Sequence, residues 1–312
     1  MPDQEFDIVR DHDSDPAAAR QRLENREPPE NLHELQRSAR LFKPGQELLT
    51  AINTALAVEA PLLLTGEPGT GKTQVAYYLS EYFGRIPLFA YQVRSTSTVN
   101  DMKYDFDAVG YLHYAQHGTE DGQARTRDDF LHKNALWLAF ECTDTSVLLI
   151  DEIDKAPRDF PNDLLQELDQ YRFKHPFKNE DIPAKRPRHR PIVVITSNVE
   201  RRLPDAFLRR CVFHHIELTP DLVAQVVAAR LGDFPNLDED TREQAVRCFW
   251  ALREDARITK KPSTAELLVW LTVLSVHRTK GADLDARNLG NLFGLSVLIK
   301  DKDDWYRLRG HT

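Results

Sequence analysis

Eight consecutive residues, from Gly66 to Thr73, have the composition of a phosphate-binding loop. They match the pattern G-x-x-x-x-G-K-[ST] at every fixed position. Glycines let such a loop wrap a phosphate with its N–H groups pointing inward, and the following helix adds partial positive charge. Lys72 would neutralise the β and γ oxygens of a nucleotide, and Thr73 would place its hydroxyl on Mg²⁺. The predicted nucleotide site is therefore Gly66, Glu67, Pro68, Gly69, Thr70, Gly71, Lys72 and Thr73.

A pair of carboxylates follows an apolar run farther along the chain. Residues 147–150 are apolar, and Asp151 and Glu152 come next. Ligands of parallel sheets bind at the carboxyl ends of the strands, which is where this pair would lie. Asp151 can hold the Mg²⁺ shell, while Glu152, turned the other way, can act as a general base toward water. The pair predicts hydrolysis in addition to binding, although a solvated acidic strand end would have the same sequence.

Five short apolar runs are predicted to be the strands that position these residues: 61–65, 87–91, 147–150, 192–196 and 212–218. Runs that are apolar on both faces are typical of buried parallel strands. A helix is predicted after the loop, from Thr73 to Phe83. Helices are also predicted from Pro220 onward and over 238–254, 263–277 and 284–298. We therefore predict an α/β domain with a P-loop NTPase sheet over 31–218 and a helical lid domain over 219–312.

Length and composition exclude several other classes of protein. A chain of 312 residues is long enough for about two domains. The charges, 41 basic against 49 acidic residues, give −8, which lacks the basic excess of many nucleic-acid-binding proteins. No apolar run approaches the roughly 20 residues of a membrane span, and no signal peptide is legible, so we expect a cytoplasmic protein. Cys142, Cys211 and Cys248 form no disulfide or zinc pattern. Residues 1–30 carry nine acidic and four basic residues and are predicted to be a disordered tail.

Four motifs, in this order, resemble those of the AAA+ ATPases and most closely the MoxR-like subgroup. They are the loop at 66–73, the run Asp-Glu-Ile-Asp-Lys at 151–155, the strand and its end at 193–198, and the segment 203–211. The resemblance covers about residues 40–275. It implies an AAA+ type five-stranded nucleotide-binding domain, a helical lid and a ring. The ring is usually a hexamer, with ATP sites between neighbouring subunits.

The resemblance also implies roles for four residues. Asn198 corresponds to the sensor that contacts the attacking water or the γ-phosphate, although a turn-forming Asn is the simpler alternative. Arg210 corresponds to the arginine finger, with Arg209 as the rival, unless both form surface ion pairs. Lys261 is the one candidate for a basic sensor of the lid, where the family often has arginine. The capping box that begins at Ser263 makes an ordinary helix start the alternative.

Two further segments have no assigned chemistry. Residues 99–129, which include Tyr104, Phe106, Tyr111 and Tyr114, correspond to a hairpin that MoxR-like proteins insert into their second helix. Their aromatic rings either grip a partner polypeptide or pack against their own domain. The basic segment 185–190 would line a pore, bind an acidic partner or contact a phosphate backbone, unless it is a solvated loop. His113 and His117 share a helical face but lack a third metal ligand.

The resulting hypothesis is an ATP-driven homo-oligomeric ring that remodels or activates a partner protein in a chaperone-like role. The resemblance implies a partner with a von Willebrand factor A domain. The alternative is a nucleic-acid-associated motor of a restriction or defence system, supported only by the segment 185–190. A nucleotide switch without turnover is a third possibility. Glu152 argues against it, since a switch needs no residue to activate water.

Overall fold

The computed structural model describes residues 42–117, 125–183, 190–198 and 201–310, together with residues 21, 39 and 40. These residues divide into two compact units. One contains residues 42–67 and 71–217, and the other contains residues 68–70 and 218–310. Apart from residue 21, the acidic segment 1–30 lies outside the described residues, as do residues 185–189 of the basic segment. No described helix has the length and apolar character needed to span a membrane.

The first unit is built on a five-stranded parallel sheet with the strand order β2-β5-β8-β1-β9. The strands of this unit are β1 (Leu62–Gly66), β2 (Leu88–Gln92), β3 (Tyr104–Phe106), β4 (Leu131–Lys133), β5 (Val147–Asp151), β6 (Arg172–Lys174), β7 (Asp181–Pro183), β8 (Ile192–Ser197) and β9 (Val212–Ile216). Nearly every residue of β1, β5 and β8 is buried, as expected for central strands with helices on both faces. The predicted α/β fold and its five strands are confirmed.

Helices connect and cover these strands. They are α1 (Gln46–Val58), α2 (Lys72–Tyr82), α3 (Val99–Lys103), α4 (Ala108–His117), α5 (Ala135–Glu141), α6 (Phe160–Gln170) and α7 (Asp205–Leu208). Side chains from β5, α5, α6 and α7 form one apolar core that includes Phe140, Leu148, Leu164 and Phe207. This core supports the carboxyl ends of β5 and β8, where the predicted chemistry lies.

The segment between α2 and β5 contains a small antiparallel pair of strands. β3 pairs with β4, so Tyr104 lies opposite Lys133, and α4 lies between them in the chain. The Tyr111 and Tyr114 rings both contact Phe130, with centroids 5.6 Å apart in each case. The four aromatic residues singled out in the sequence are half-buried. This packing favours the interpretation that they hold the insert onto its own domain.

The second unit is helical and has a core of its own. Its helices are α8 (Pro220–Ala229), α9 (Glu239–Glu254), α10 (Thr264–His277), α11 (Leu295–Leu298) and α12 (Lys302–Arg309). The predicted helix over 284–298 is wrong, because only a 3₁₀ turn at Leu289–Asn291 and α11 form there. Gly294, whose φ of 68° lies in the left-handed region, prevents one continuous helix over this segment. Gly290 packs closely against α12, where a Cβ would lie 2.7 Å from the carbonyl oxygen of Leu308.

The chain leading into α10 is held by a buried carboxylate. Asp304 is fully buried, and its oxygens accept hydrogen bonds from Thr259 N and Lys260 N at 2.9–3.0 Å. Burial alone raises the pKa of this carboxyl. The N–H groups of Lys260 and Thr259, the Thr259 hydroxyl and Arg307 outweigh burial, so the pKa is lowered. α10 itself begins with a capping box between Ser263 and Glu266.

Candidate active site

The phosphate-binding loop joins β1 to α2 and depends on glycine conformations. Gly69 and Gly71 have φ angles of 81° and 89°, in the left-handed region that other residues rarely adopt. Gly71 is also the N-cap of α2. This turn lets the chain leave the buried strand and enter the helix at once. The first N–H groups of α2 are thereby left available to an anion.

Lys72 lies inside this loop and has only 6% of its surface exposed. Its ammonium donates hydrogen bonds to the carbonyl oxygens of Gly66 at 2.8 Å and Glu67 at 2.7 Å. Burial lowers the pKa of Lys72, and the nearby carboxylates, with Asp151 the strongest, partly offset that effect. The loop thus holds a buried cation whose hydrogen bonds are made to carbonyl groups, which a phosphate oxygen could replace with a stronger charge-assisted contact.

One carboxylate oxygen of Asp151 accepts hydrogen bonds from two hydroxyl groups. Thr73 Oγ1 donates to Asp151 Oδ1 at 2.9 Å, and Thr196 Oγ1 donates to the same atom at 2.6 Å. Thr196, which is buried in β8, also accepts a hydrogen bond from Glu152 N at 2.8 Å. A single threonine therefore positions both members of the predicted carboxylate pair. The Thr73 hydroxyl and the Asp151 carboxylate are adjacent oxygen donors, as a hard divalent cation requires.

Glu152 is held by three donors on its side chain. Gln92 Nε2 and Lys155 Nζ each lie 2.5 Å from Glu152 Oε2, and Asn198 Nδ2 donates to Oε1 at 3.0 Å. The backbone of Glu152 is left-handed, with φ 59° and ψ 51°, which is uncommon for a residue with a side chain. Such strain persists only where the surroundings enforce it, and it is frequent at active sites. In this conformation the Glu152 side chain reaches Asn198.

Asn198 follows β8 and contacts both sides of the carboxylate cluster. Its side chain meets Glu152, while its backbone N–H donates to Asp154 Oδ1 at 3.2 Å. The structure thus brings Lys72, Thr73, Asp151 and Asn198 to one edge of the sheet together with Glu152, because β1, β5 and β8 are adjacent and parallel. This common edge is the one expected from the fold rule for open α/β sheets.

Two contributors to this cluster are absent from the sequence prediction, namely Gln92 and Thr196. Both are polar residues at or near the carboxyl end of an apolar parallel strand, as Asp151 is. That position is the available sequence signal. Lys155, third after Glu152, could likewise have been recognised from the turn that brings the two side chains together.

A family model of the AAA domain, dynein-related subfamily, matches residues 61–211. The match includes the phosphate-binding loop, the carboxylate pair and Asn198. Residues 61–211 therefore form an AAA domain. The matched segment is just under half of the chain, and it ends after the two arginines that the sequence singles out. No curated protein sequence matches the chain.

Solved structures similar to this chain include two of NtrX from Brucella abortus. The complex with ADP has a TM-score of 0.48 and 16% identity, and the match covers 91% of this chain and 59% of that chain. The complex with ATP has a TM-score of 0.44 and 16% identity, and the match covers 85% of this chain and 57% of that chain. A protein from Cytophaga hutchinsonii has a TM-score of 0.41 and 14% identity, and the match covers 88% of this chain and 84% of that chain. This chain thus spans less than two thirds of the NtrX chains that it matches.

The two candidate finger arginines follow α7 and are exposed. Arg210 Nε donates to Asp169 Oδ2 at 2.9 Å, and its Nη1 donates to the carbonyl of Ala206 at 3.0 Å. Both side chains of the Arg210–Asp169 pair are nearly half exposed, so the interaction is a weak surface ion pair. Arg209 and Arg210 both remain predictions for the finger.

Lys261 belongs to the helical unit, in the segment that leads into α10. Its ammonium donates to the carbonyl oxygen of Asp255 at 2.7 Å, and its side chain is exposed. An exposed ammonium on a flexible stem can leave such a contact at little cost. The role of Lys261 as a lid sensor stays a prediction.

Proposed function

We propose that the protein is an AAA+ ATPase that works as a MoxR-like ring and couples ATP hydrolysis to the remodelling or activation of a partner protein. The observation that carries the catalytic part is the convergence of Lys72, Thr73, Asp151, Glu152 and Asn198 at one edge of the sheet. Lys72 is a cation that can bind a phosphate, and Thr73 and Asp151 offer oxygen atoms to a metal ion. With Glu152 as a base and Asn198 as an amide, the group suits attack of water on a γ-phosphate.

ATP is the proposed substrate, with Mg²⁺ bound to its β and γ oxygens. Thr73 and Asp151 would hold the ion, because hydroxyl and carboxylate oxygens are the ligands it prefers. Among the described residues, no group of three or more His, Cys, Asp or Glu side chains could hold a metal. Phosphate oxygens and water would therefore complete the coordination shell. When bound, Mg²⁺ neutralises charge that builds up on the phosphates.

Glu152 is the proposed general base and Asn198 the residue that orients water. In the arrangement described above, Glu152 Oε2 accepts hydrogen bonds from Gln92 and Lys155, whereas Oε1 accepts one from Asn198. An ionised carboxylate has about four acceptor sites, so Oε1 keeps a site for the attacking water. Gln92 and Lys155 are thus positioning residues, and loss of the Lys155 ion pair would free a site on Oε2 as well.

A ring would supply the remaining charge in trans. Arg210, or Arg209 in its place, lies on the surface and would reach the γ-phosphate of a neighbouring subunit. Such a finger is worth about 10³ to 10⁵ in kcat. Lys261 would add a further contact to the nucleotide from the lid. A hexamer is the proposed size, taken from the family resemblance.

The proposed partner is a protein with a von Willebrand factor A domain, also by resemblance. The competing idea of a nucleic-acid motor depends on the basic segment 185–190, of which Arg190 is the residue that the structure describes. Arg190 pairs with Glu59 at 2.7 Å and lies over the Tyr171 ring. Its charge is therefore used within its own domain, and no described contact favours the nucleic-acid alternative.

The decisive experiment is the ATPase rate per subunit as a function of protein concentration, for wild type, Glu152→Gln and Arg210→Ala. We expect activity per subunit to rise with concentration, to be lost in both variants, and to be partly restored when Glu152→Gln and Arg210→Ala are mixed. Restoration arises because a mixed ring contains sites with an intact base and a neighbour's intact arginine. Arg209→Ala, tested in parallel, separates the two finger candidates.

A rate that stays constant over all concentrations, with full activity in Arg210→Ala and Arg209→Ala, would refute the shared site. ATP binding by a fluorescent nucleotide serves as the folding control, since Glu152→Gln and Arg210→Ala leave Lys72 and its loop intact. Stimulation of the rate by DNA, steeply reduced by salt, would instead favour the nucleic-acid motor.

A further inference from the structure

A cavity of about 450 Å³ lies in the first unit, at the opposite edge of the sheet from the phosphate-binding loop. It is formed by α1, the end of α2 and the amino-terminal ends of β1 and β8. Its apolar walls include Ile52, Ala55, Leu62, Leu79, Ile86 and Ile192. Volumes of this size and apolar character are typical of small-molecule sites.

Four polar residues also line the cavity: Glu59, Thr145, Tyr171 and Arg190. Three of them are joined to each other. Arg190 Nη1 lies 2.7 Å from Glu59 Oε2, the Arg190 guanidinium lies 4.6 Å from the centroid of the Tyr171 ring, and Tyr171 Oη donates to the carbonyl of Glu59 at 3.2 Å. An apolar cavity with a few convergent polar groups is the usual form of a ligand site.

The backbone at this cluster is unusual as well. Glu59 and Tyr171 have φ angles of 52° and 47°, and they end α1 and α6 respectively. Glycine is the residue that usually occupies such a left-handed position after a helix. Two side chains are therefore kept on the cavity wall at positions where glycine would be less strained. Strained residues of this kind are concentrated at binding and catalytic sites.

The hydrogen-bonding state of the cluster selects the class of ligand. The hydrogen of the Tyr171 hydroxyl is donated to Glu59, so its oxygen is left to accept. Burial raises the pKa of Tyr171, which keeps the phenol neutral. Arg190 and Glu59 already pair with each other and are partly exposed to solvent, so a charged head group would gain little from either of them. The cluster thus suits an uncharged group that donates a hydrogen bond.

From these observations we propose a second ligand site, distinct from the nucleotide site, that binds a neutral amphiphile with an apolar body and one hydroxyl or similar donor. The ligand would have roughly ten to fifteen non-hydrogen atoms, as suits a site near the smaller end of the usual range. Leu62 and Leu79 connect it to the nucleotide site, since β1 and α2 run from the cavity wall to the phosphate-binding loop.

The test uses three probes that share one body: 4-phenyl-1-butanol, 4-phenylbutyrate and n-butylbenzene. Their affinities for the full chain without nucleotide are measured by titration calorimetry. We expect saturable binding in the order alcohol, hydrocarbon, carboxylate. The alcohol should bind about five- to tenfold more tightly than the hydrocarbon, which is the usual contribution of one hydrogen bond to affinity.

Two variants and one control variant locate the site. Ala55→Phe fills the cavity and should lower the affinity for the alcohol at least tenfold. Ala57→Phe, at an exposed position of the same helix, should leave that affinity unchanged. Tyr171→Phe removes the acceptor oxygen and should bring the alcohol and the hydrocarbon to equal affinity. Circular dichroism verifies that each variant is folded, and Tyr171→Phe remains informative if Ala55→Phe is not.

Absence of saturable binding by all three probes would overturn the proposal. Equal affinities in Ala55→Phe and Ala57→Phe would overturn it too, as would binding of the carboxylate more tightly than the alcohol. None of these measurements involves ATP, so the result is independent of whether the ring mechanism is correct.

Discussion

Thr196→Val tests whether one buried hydroxyl organises the carboxylate pair. Valine has nearly the same shape, but it removes the donor to Asp151 at 2.6 Å and the acceptor for Glu152 N at 2.8 Å. A hydrogen bond to a charged group contributes about 1.5–3 kcal/mol and a neutral one about 0.5–1.5 kcal/mol. Asp151 keeps the Thr73 hydroxyl, so we expect the lower part of the sum, a loss of about 2–3 kcal/mol in the free energy of unfolding.

The ATPase rate should change more steeply than stability. Thr196 positions the Mg²⁺ ligand and the base together, and a misplacement of about 1 Å at such a site costs about 10²-fold in rate. We therefore expect kcat to fall by about 10- to 100-fold at saturating Mg²⁺. Urea unfolding with an unchanged slope reports the stability, and a coupled ATPase assay reports kcat.

Thr196→Ser is the matched control, because it keeps the hydroxyl and loses a buried methyl group worth about 1 kcal/mol. It should be more stable and more active than Thr196→Val. If valine proves the more stable of the two and keeps wild-type kcat, the hydroxyl does not organise the site and the reasoning is refuted.

Three other changes have predicted outcomes. Glu152→Gln should lower kcat by at least about 10²-fold, as loss of a general base does, while the Kd for ATP stays within about threefold by fluorescence titration. Lys155→Met should raise basal kcat up to about fivefold without changing KM, because the ion pair that occupies Glu152 is worth at most about 1 kcal/mol, whereas Lys155→Arg should resemble wild type. A fall in kcat for Lys155→Met would contradict its restraining role. Asp304→Asn should destabilise the helical unit at pH 6. Because the pKa of Asp304 is lowered from its usual 3.8, the wild-type advantage is complete above that value and is lost as pH falls below it. Urea midpoints at pH 6 and pH 3 test this, and an unchanged difference between the two proteins would show that the carboxylate is not the cause.

Contiguous stretches of sequence were enough to predict the phosphate-binding loop and the strands. The loop needs glycines at positions of left-handed φ and a lysine at the start of a helix, and all of these lie within eight residues. Buried parallel strands are apolar on both faces, so short runs such as 147–150 are recognisable without knowledge of their neighbours. Asp151 and Glu152 could be named for the same reason, because they directly follow such a run.

The contacts that organise the site depend on which strands are neighbours, and only the tertiary structure decides that. Gln92 and Thr196 contact the carboxylates because β2 and β8 flank β5. Gln92 precedes Glu152 by 60 positions and Thr196 follows it by 44, so only the sheet brings them together. The close packing of Gly290 against α12 has a similar origin, since Leu308 lies eighteen positions farther along the chain. Local patterns thus determine the elements and the phosphate-binding loop. The restraint on the base, and the cavity between α1 and α2, arise from packing between distant segments, which no local pattern specifies.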